Sequence, residues 1–287
     1  MLPSMTKKQF AAYISAVLAV FVLSVIPAYL CGEYTARLPI LMYHNLEANG
    51  DAASTISAEM FESHIKALSE AGYTTITFEE LREYAVSGVP LPDRRVMITF
   101  DDGYMGVYDT AFPILEKYGM KATVSIVGVF FGQDTYKGLY YLDITPHFGE
   151  AEAREMAESG VLSIQSHSYD MHQYIPYETG EPRVGAMRKK SESRDEYTAA
   201  FIADFTLAAD QLEEAVGERP FVYAYPFGRC TRLTEKLLKD MGVTVTLTIS
   251  ARINTVIKGV PESLYRLGRL NVPGDTTPDE LLAMIDY

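Results

Sequence analysis

The chain has 287 residues, 48% hydrophobic and 22% charged, which excludes a disordered, collagen-like or disulfide-scaffold protein. Only one long charge-free apolar run occurs, which excludes a multi-span membrane protein. Asp+Glu outnumber Lys+Arg by 38 to 25, and that excess of negative charge argues against nucleic acid as a partner.

The run Phe10–Cys31 carries no charge and follows Lys7 and Lys8. As a helix it would span roughly 33 Å, enough for a bilayer core. The two lysines would then stay cytoplasmic and everything after Gly32 would lie outside. A cleaved signal peptide is the alternative, although no frame around Ala28–Gly32 offers a small-x-small pair; a buried N-terminal helix is the third reading. Residues 1–32 are thus expected to be a signal anchor or signal peptide, and 33–287 one catalytic domain. Cys31 lies in the apolar run and Cys230 stands alone, so the cysteines define neither a disulfide framework nor a cysteine-rich metal site.

Beyond Leu38, β-rich runs alternate with helical patterns. Strands are expected at 38–43, 73–77, 95–100, 121–127, 161–166, 221–225, 243–248 and 265–272. Helices are expected at 58–71, from the Thr77/Glu80 capping box to Gly88, and at 107–118, where Gly119 stops the run. Others are expected at 151–158, 195–216, 232–241 and from Thr277–Pro278 onward. Such alternation implies parallel βα units closing into a barrel. Residues 173–194 interrupt the rhythm with Pro176, Gly180, Pro182 and Gly185 and a basic cluster around Arg183 and Arg188–Lys190. A loop of that length is either a solvated insertion or a functional segment.

The unusual polar residues fall at strand C-terminal ends, the rim where barrel enzymes build their sites. They are His44, Asp101–Asp102, His167, and Pro226 with Gly228. Asp101-Asp102-Gly103 reads either as a turn or as two carboxylates with separate tasks, since neighbouring side chains at a strand end point different ways. His167 and His172 share a site only if the chain turns between them, and either could be a satisfied core residue. His64 and His147 suggest no role. An Asp-His-His set suits a divalent metal with open positions, and a spare carboxylate beside it suits hydrolysis of an amide or ester. A glycosidase would instead need two carboxyls roughly 5–9.5 Å apart across a sugar.

TFDDGY (Thr99–Tyr104), SHSYDMH (Ser166–His172) and AYPFG (Ala224–Gly228) resemble, in order, the first three motifs of polysaccharide deacetylases with the NodB-homology fold, carbohydrate esterase family 4. PILMYHNL (Pro39–Leu46) and the six-residue histidine motif are similar to the extracytoplasmic poly-N-acetylglucosamine deacetylase branch. The resemblance implies a distorted (β/α)7 barrel that removes acetate from an N-acetylated polysaccharide. It implies Asp101 as catalytic base and Asp102, His167 and His172 as ligands of a divalent metal, zinc by default with cobalt or nickel as alternatives. It further implies the Phe227 N–H as an oxyanion donor, with Tyr225 and Pro226 shaping the groove. Three features depart from the family pattern. Ala224 stands near the place of an arginine that orients the base, for which Arg269 or Arg266 would have to substitute. The chain has no Trp, and no His follows His172; the resemblance to the poly-N-acetylglucosamine branch implies an N-terminal histidine, here His44, as the acid. These departures leave a non-catalytic glycan-binding barrel as the alternative; Asp101, which a pure binder would not need, argues against it.

Overall fold

Seven parallel strands carry the site. The computed structural model describes residues 34–47, 53–173 and 177–286, with scattered positions between Lys8 and Leu18. The sheet is built from β2 (Ile40–Tyr43), β6 (Arg95–Asp102), β7 (Ala122–Ile126), β8 (Leu162–Ser166), β9 (Val222–Ala224), β10 (Val245–Leu247) and β12 (Leu270–Asn271). Their spatial order is β10-β9-β8-β7-β6-β2-β12, with the short β5 (Thr74–Thr75) pairing beside β6. The sheet curls until its ends approach. Leu267, just before β12, donates its N–H to Thr246 O and accepts from Thr248 N–H, both at 2.8 Å. This α/β architecture agrees with the expected (β/α)7 barrel.

The helices follow from their caps and apolar faces. The helix α1 (Ala58–Glu70) starts on the Ser57 hydroxyl and buries Phe61, His64, Ile65 and Leu68. The helix α2 (Phe78–Ser87) opens on the expected Thr77/Glu80 box and ends at Gly88 in the left-handed conformation. Then come α3 (Phe112–Tyr118), α4 (Glu150–Glu158), α5 (Arg194–Val216), α6 (Arg232–Asp240) and α7 (Pro278–Ile285). The largest apolar core lies between the sheet and α1, α3, α4 and α7. His64 belongs to it as a satisfied residue, with Nε2 2.7 Å from Thr276 O and Nδ1 3.2 Å from Tyr43 Oη.

The structure departs from the sequence reading in several places. The strand expected at 38–43 divides at Pro39, which has no N–H for a ladder, into β1 (Thr35–Leu38) and β2. β1 leaves the barrel and pairs antiparallel with an unanticipated strand, β11 (Asn254–Ile257). β3 (Asn45–Leu46) and β4 (Thr55–Ile56) make a separate parallel pair. The strand expected at 95–100 continues through both aspartates, and the helix expected from 107 opens with one π turn, Val107–Ala111. The strand expected at 265–272 shrinks to β12. Arg266 has φ +59°, and Gly268 lies where a Cβ would stand 2.2 Å from Ser250 O, so the backbone there cannot run straight. Residues 127–149 form a long loop with 3-10 turns at Gly128–Phe130 and Tyr136–Gly138. The expected anchor at residues 10–31 lies outside the described residues except at isolated positions. Among the described residues no helix is long and apolar enough to cross a membrane.

Candidate active site

The site forms at the C-terminal rim from β6, β8 and the turn after β9. Asp101 and Asp102 end β6, where they pair with Ser125 and Ile126 of β7. Asp102 is held at φ +73°, and Gly103 follows at +91°. A Cβ on Gly103 would meet Ile126 Cγ2 at 2.9 Å, so only glycine lets the chain leave the strand so sharply. This turn sends the two carboxylates different ways, and both are buried.

His167 follows β8 and donates Nδ1–H to Ala224 O at 2.7 Å. A carbonyl can only accept, so the proton is fixed on Nδ1 and the Nε2 lone pair faces the site. That Nε2 lies 3.7 Å from Asp102 Oδ1 and 3.9 Å from Asp101 Oδ2. The chain then turns through Ser168, at φ +83°, and brings His172 Nε2 to 3.7 Å from the same Asp102 oxygen. The turn is held by Asp204 of α5, whose carboxylate oxygens accept from Tyr169 N–H at 3.0 Å and Asp170 N–H at 2.7 Å. Burial pushes the Asp204 carboxyl up to about 6 even against those two donors.

The segment 177–194 is not a solvated insertion. Arg183 is buried, donates to Glu192 Oε2 at 3.0 Å and to Met187 O at 2.9 Å, and makes a second contact with Glu192. Gly185 N–H donates to Met171 O at 3.0 Å, and Val184 bridges His172. The segment therefore straps the second histidine in place. Residues 174–176 lie outside the described residues.

Asp102, His167 and His172 offer three donors within 4.8 Å of one another. Two donors each about 2.0–2.1 Å from one tetrahedral ion stand roughly 3.4 Å apart, close to the 3.7 Å seen here. Asp102 Oδ1 is buried with no hydrogen-bond partner among the described residues, a costly state that a cation would relieve. Burial pushes the Asp102 carboxyl up, but His172, His167 and His44 outweigh it and leave it below its ordinary value. Burial lowers His167, which keeps its imidazole neutral and able to ligate. A divalent ion therefore fits these three residues.

Asp101 has a different partner. Arg269 donates Nη1–H to Oδ1 at 2.6 Å and Nη2–H to Oδ2 at 2.7 Å, a two-pronged pair with both side chains buried. Its Nε–H donates to Thr248 O at 3.2 Å. Burial pushes Asp101 up, but the guanidinium, followed by His167 and His44, holds the carboxyl well below the usual range. Of the two arginines considered, Arg269 is the one that pairs with Asp101. Arg266 does not; it is half exposed and lies 3.6 Å from Glu235.

Of the remaining sequence candidates, His44 follows β2, half-buried and close enough to act electrostatically on both aspartates. Phe227 sits in the turn after β9 at φ +55° and stacks on His172 with ring centroids 4.2 Å apart. Tyr225 and Pro226 are buried, and the Tyr225 ring packs into the core beside Tyr223 at 5.2 Å. Tyr225 supports the turn from behind and has no exposed surface for a groove. Two residues given no role, His147 and Asp204, belong to the surroundings of the site. His147 is buried against Tyr104 at 4.7 Å and interacts electrostatically with Asp102 and His172. Burial lowers its pKa to about 4. Nothing in its local sequence marks it, because the long loop 127–149 brings it back to the rim.

A curled parallel barrel with a buried Asp-His-His cluster and an arginine-paired carboxylate defines a hydrolase-type site able to hold a divalent ion. Residues 88–246 match the family described as Polysaccharide deacetylase. The Bacillus subtilis (strain 168) protein YxkH, whose name assigns it to the polysaccharide deacetylases, is 36% identical over 86% of this chain and 76% of its own length. Poly-beta-1,6-N-acetyl-D-glucosamine N-deacetylase of Escherichia coli (strain K12) is 24% identical over 74% of this chain but only 34% of its own length. A de-N-acetylase from Aggregatibacter actinomycetemcomitans shares the fold, with a TM-score of 0.72, 24% identity, and 87% of this chain and all of that one covered. The chain belongs to the polysaccharide deacetylase family and is a hydrolase acting on amide bonds.

Proposed function

We propose that this chain removes acetyl groups from N-acetylhexosamine residues of a polysaccharide, outside the membrane, with a divalent metal held by Asp102, His167 and His172. The observation that carries this reading is the convergence of those three side chains beside Asp101, which is fixed by Arg269. The name of the Escherichia coli relative supports an N-acetylglucosamine polymer as substrate. A divalent ion in such a site supplies Lewis acidity, which acidifies water and polarises a carbonyl oxygen. Zinc suits the two-nitrogen, one-oxygen donor set, with cobalt or nickel as alternatives.

Asp101 stays ionised across the working pH range and takes the proton of the attacking water. Arg269 prevents the carboxylate from rotating and is a positioning residue. The Phe227 backbone N–H donates to the oxyanion that forms on the acetamide carbon. His44 gives a proton to the leaving nitrogen, so the products are acetate and a free amino sugar. The location outside the membrane rests on the charge-free run Phe10–Cys31 behind Lys7 and Lys8. The pairing of Arg269 with Asp101 supports the enzyme reading over a purely glycan-binding role.

The test is acetate release from a panel of N-acetylated glycans, with and without chelator. The expected result is release from at least one glycan, abolished by chelation and by Asp101→Asn, with Asp101→Asn retaining its metal. Release insensitive to chelator would overturn the metal assignment. Full turnover by Asp101→Asn would overturn the base assignment.

A further inference from the structure

Three features absent from the sequence reading meet at one side chain. β1 breaks from β2 at Pro39, β11 pairs with β1, and the run before β12 does not form strand. Asn254, the first residue of β11, is buried where the three come together. Its Oδ1 accepts the Gly268 N–H at 2.7 Å. Its Nδ2 donates to Gly268 O at 2.8 Å and to Leu38 O at 3.2 Å. Arg252 Nε–H makes a longer contact with the same Oδ1, at 3.4 Å. The amide therefore has both donors and its acceptor in use.

Gly268 directly precedes Arg269. Among the described residues neither its N–H nor its O bonds to another backbone group, so the Asn254 amide stands in for the missing strand partner. The need is local. Arg266 takes φ +59° and Ser250 O leaves no room for a Cβ on Gly268, so the chain kinks at the seam between β10 and β12. Leu267 is tied to Thr246 and Thr248 on one side of that seam. Asn254 ties Gly268 to Leu38 O on the other. Leu38 is followed by Pro39, whose O accepts Met97 N–H at 3.0 Å, and Met97 lies in β6, the strand that ends in Asp101. The backbone that carries Arg269 and the strand that carries Asp101 are thus fixed to one junction.

We propose that Asn254 is a positioning residue for the reaction: it fixes the backbone of Arg269 and, through the Arg269 side chain, the orientation of the Asp101 carboxylate. The proposal rests on the deacetylase reading above. A two-pronged pair at 2.6 and 2.7 Å holds only while the guanidinium stays in register with both carboxylate oxygens. Arg269 reaches that register from a segment with little strand pairing of its own, since β12 spans only Leu270–Asn271. Misplacing a reacting group by a fraction of its contact distance costs rate more than binding. The effect of Asn254 therefore falls on turnover, and it vanishes where Arg269 is absent. The β1–β11 pair gains a task on this account: it delivers one amide to the barrel seam.

The test measures acetate release from β-1,6-linked N-acetylglucosamine tetramer by wild type, Asn254→Ala, Arg269→Met and the double variant. Thr255→Ala, at the exposed neighbouring position of β11, is the control. Asn254→Ala is expected to lower kcat at least tenfold with KM changed less than twofold, and Thr255→Ala to match wild type. In the Arg269→Met background the Asn254 substitution should cost less than twofold. A tenfold loss there would show that Asn254 acts by another route and would overturn the proposal, as would a wild-type kcat in Asn254→Ala. Should Asn254→Ala fail to fold, Asn254→Asp takes its place with the same expectations; it keeps the shape and the acceptor for Gly268 N–H but not the paired donors. Hydrogen exchange of the Arg269 Nε–H, followed by NMR, reads the positioning without turnover. It should quicken at least tenfold in Asn254→Ala and stay unchanged in Thr255→Ala, and an unchanged rate in Asn254→Ala would refute the proposal. Quickened exchange in a chain whose wild type releases no acetate from any N-acetylated glycan would instead overturn the deacetylase reading and leave the positioning of Arg269 standing.

Discussion

The Arg269–Asp101 pair offers the most discriminating perturbation. Replacing Arg269 with Met keeps the bulk of the side chain and removes its charge. Asp101 would lose both prongs, at 2.6 and 2.7 Å, in a place where neither partner reaches solvent. Stranding one member of such a buried pair costs about 3–5 kcal/mol, far above the 0–1 kcal/mol of an exposed bridge. Thr248 O also loses its donor, which adds about 1 kcal/mol. Burial, the largest influence on Asp101, would then act against only His167 and His44, and the carboxyl would move upward. The assay is urea unfolding of Arg269→Met, Asp101→Asn and the double variant, with a pH profile of acetate release for Arg269→Met. The double variant should recover at least half of the summed single losses, because it strands no charge. The acid limb of the Arg269→Met profile should shift to higher pH. Strict additivity together with an unmoved acid limb would show that the pair neither stabilises the barrel nor tunes the base.

Three further outcomes follow from the same geometry. His147 is neutral when folded, its pKa lowered to about 4 by burial, whereas the unfolded chain takes up its proton near the ordinary 6.5. The unfolded state thus binds more protons between those values. Stability falls as pH drops from 6.5 toward 4, by up to roughly 3 kcal/mol from this residue. In metal-free protein, His147→Gln should flatten that part of the unfolding profile, and an unchanged slope would contradict the burial argument. Asp204→Asn keeps one acceptor for the two N–H groups of Tyr169 and Asp170, so the turn between His167 and His172 slackens. Metal affinity should fall about 10–100-fold, as for other outer partners of ligands; an unaltered Kd by metal titration would remove Asp204 from the account. Gly103→Ala must place a Cβ at φ +91° and 2.9 Å from Ile126 Cγ2, so thermal unfolding should report a loss of at least about 1–3 kcal/mol. A wild-type midpoint would show that the turn tolerates a side chain.

Much of the fold was legible because the signals were local. Thr77/Glu80, Gly88, Gly119 and Thr277/Glu280 announce helix ends through hydrogen bonds within a few residues. The barrel follows from strand–helix alternation. The β1–β11 pair was not legible, since its two strands lie more than 200 residues apart and neither stands out in composition. At the site, Asp101, Asp102, His167 and His172 were readable from motif order and strand ends, and Arg269 only as one of two candidates. The choice between Arg269 and Arg266 depends on the backbone between them, where Arg266 takes φ +59° and Gly268 packs against Ser250 O. The groove role of Tyr225 came from motif resemblance alone, and a motif does not record which way a ring turns; here it is buried in the core. His147 and Asp204 escaped because a loop and the α5 helix deliver them from a distance, and no spacing near either residue records that approach.

Metal stoichiometry tests the central claim most directly. Elemental analysis of the purified chain, alongside Asp102→Asn, His167→Ala and His172→Ala, should find one divalent ion per wild-type chain and less than a tenth of that in each variant. Acetate release should disappear in step with the ion and return when zinc is restored to the chelated wild type. Stoichiometric metal in all three variants, or undiminished release from metal-free protein, would contradict the account.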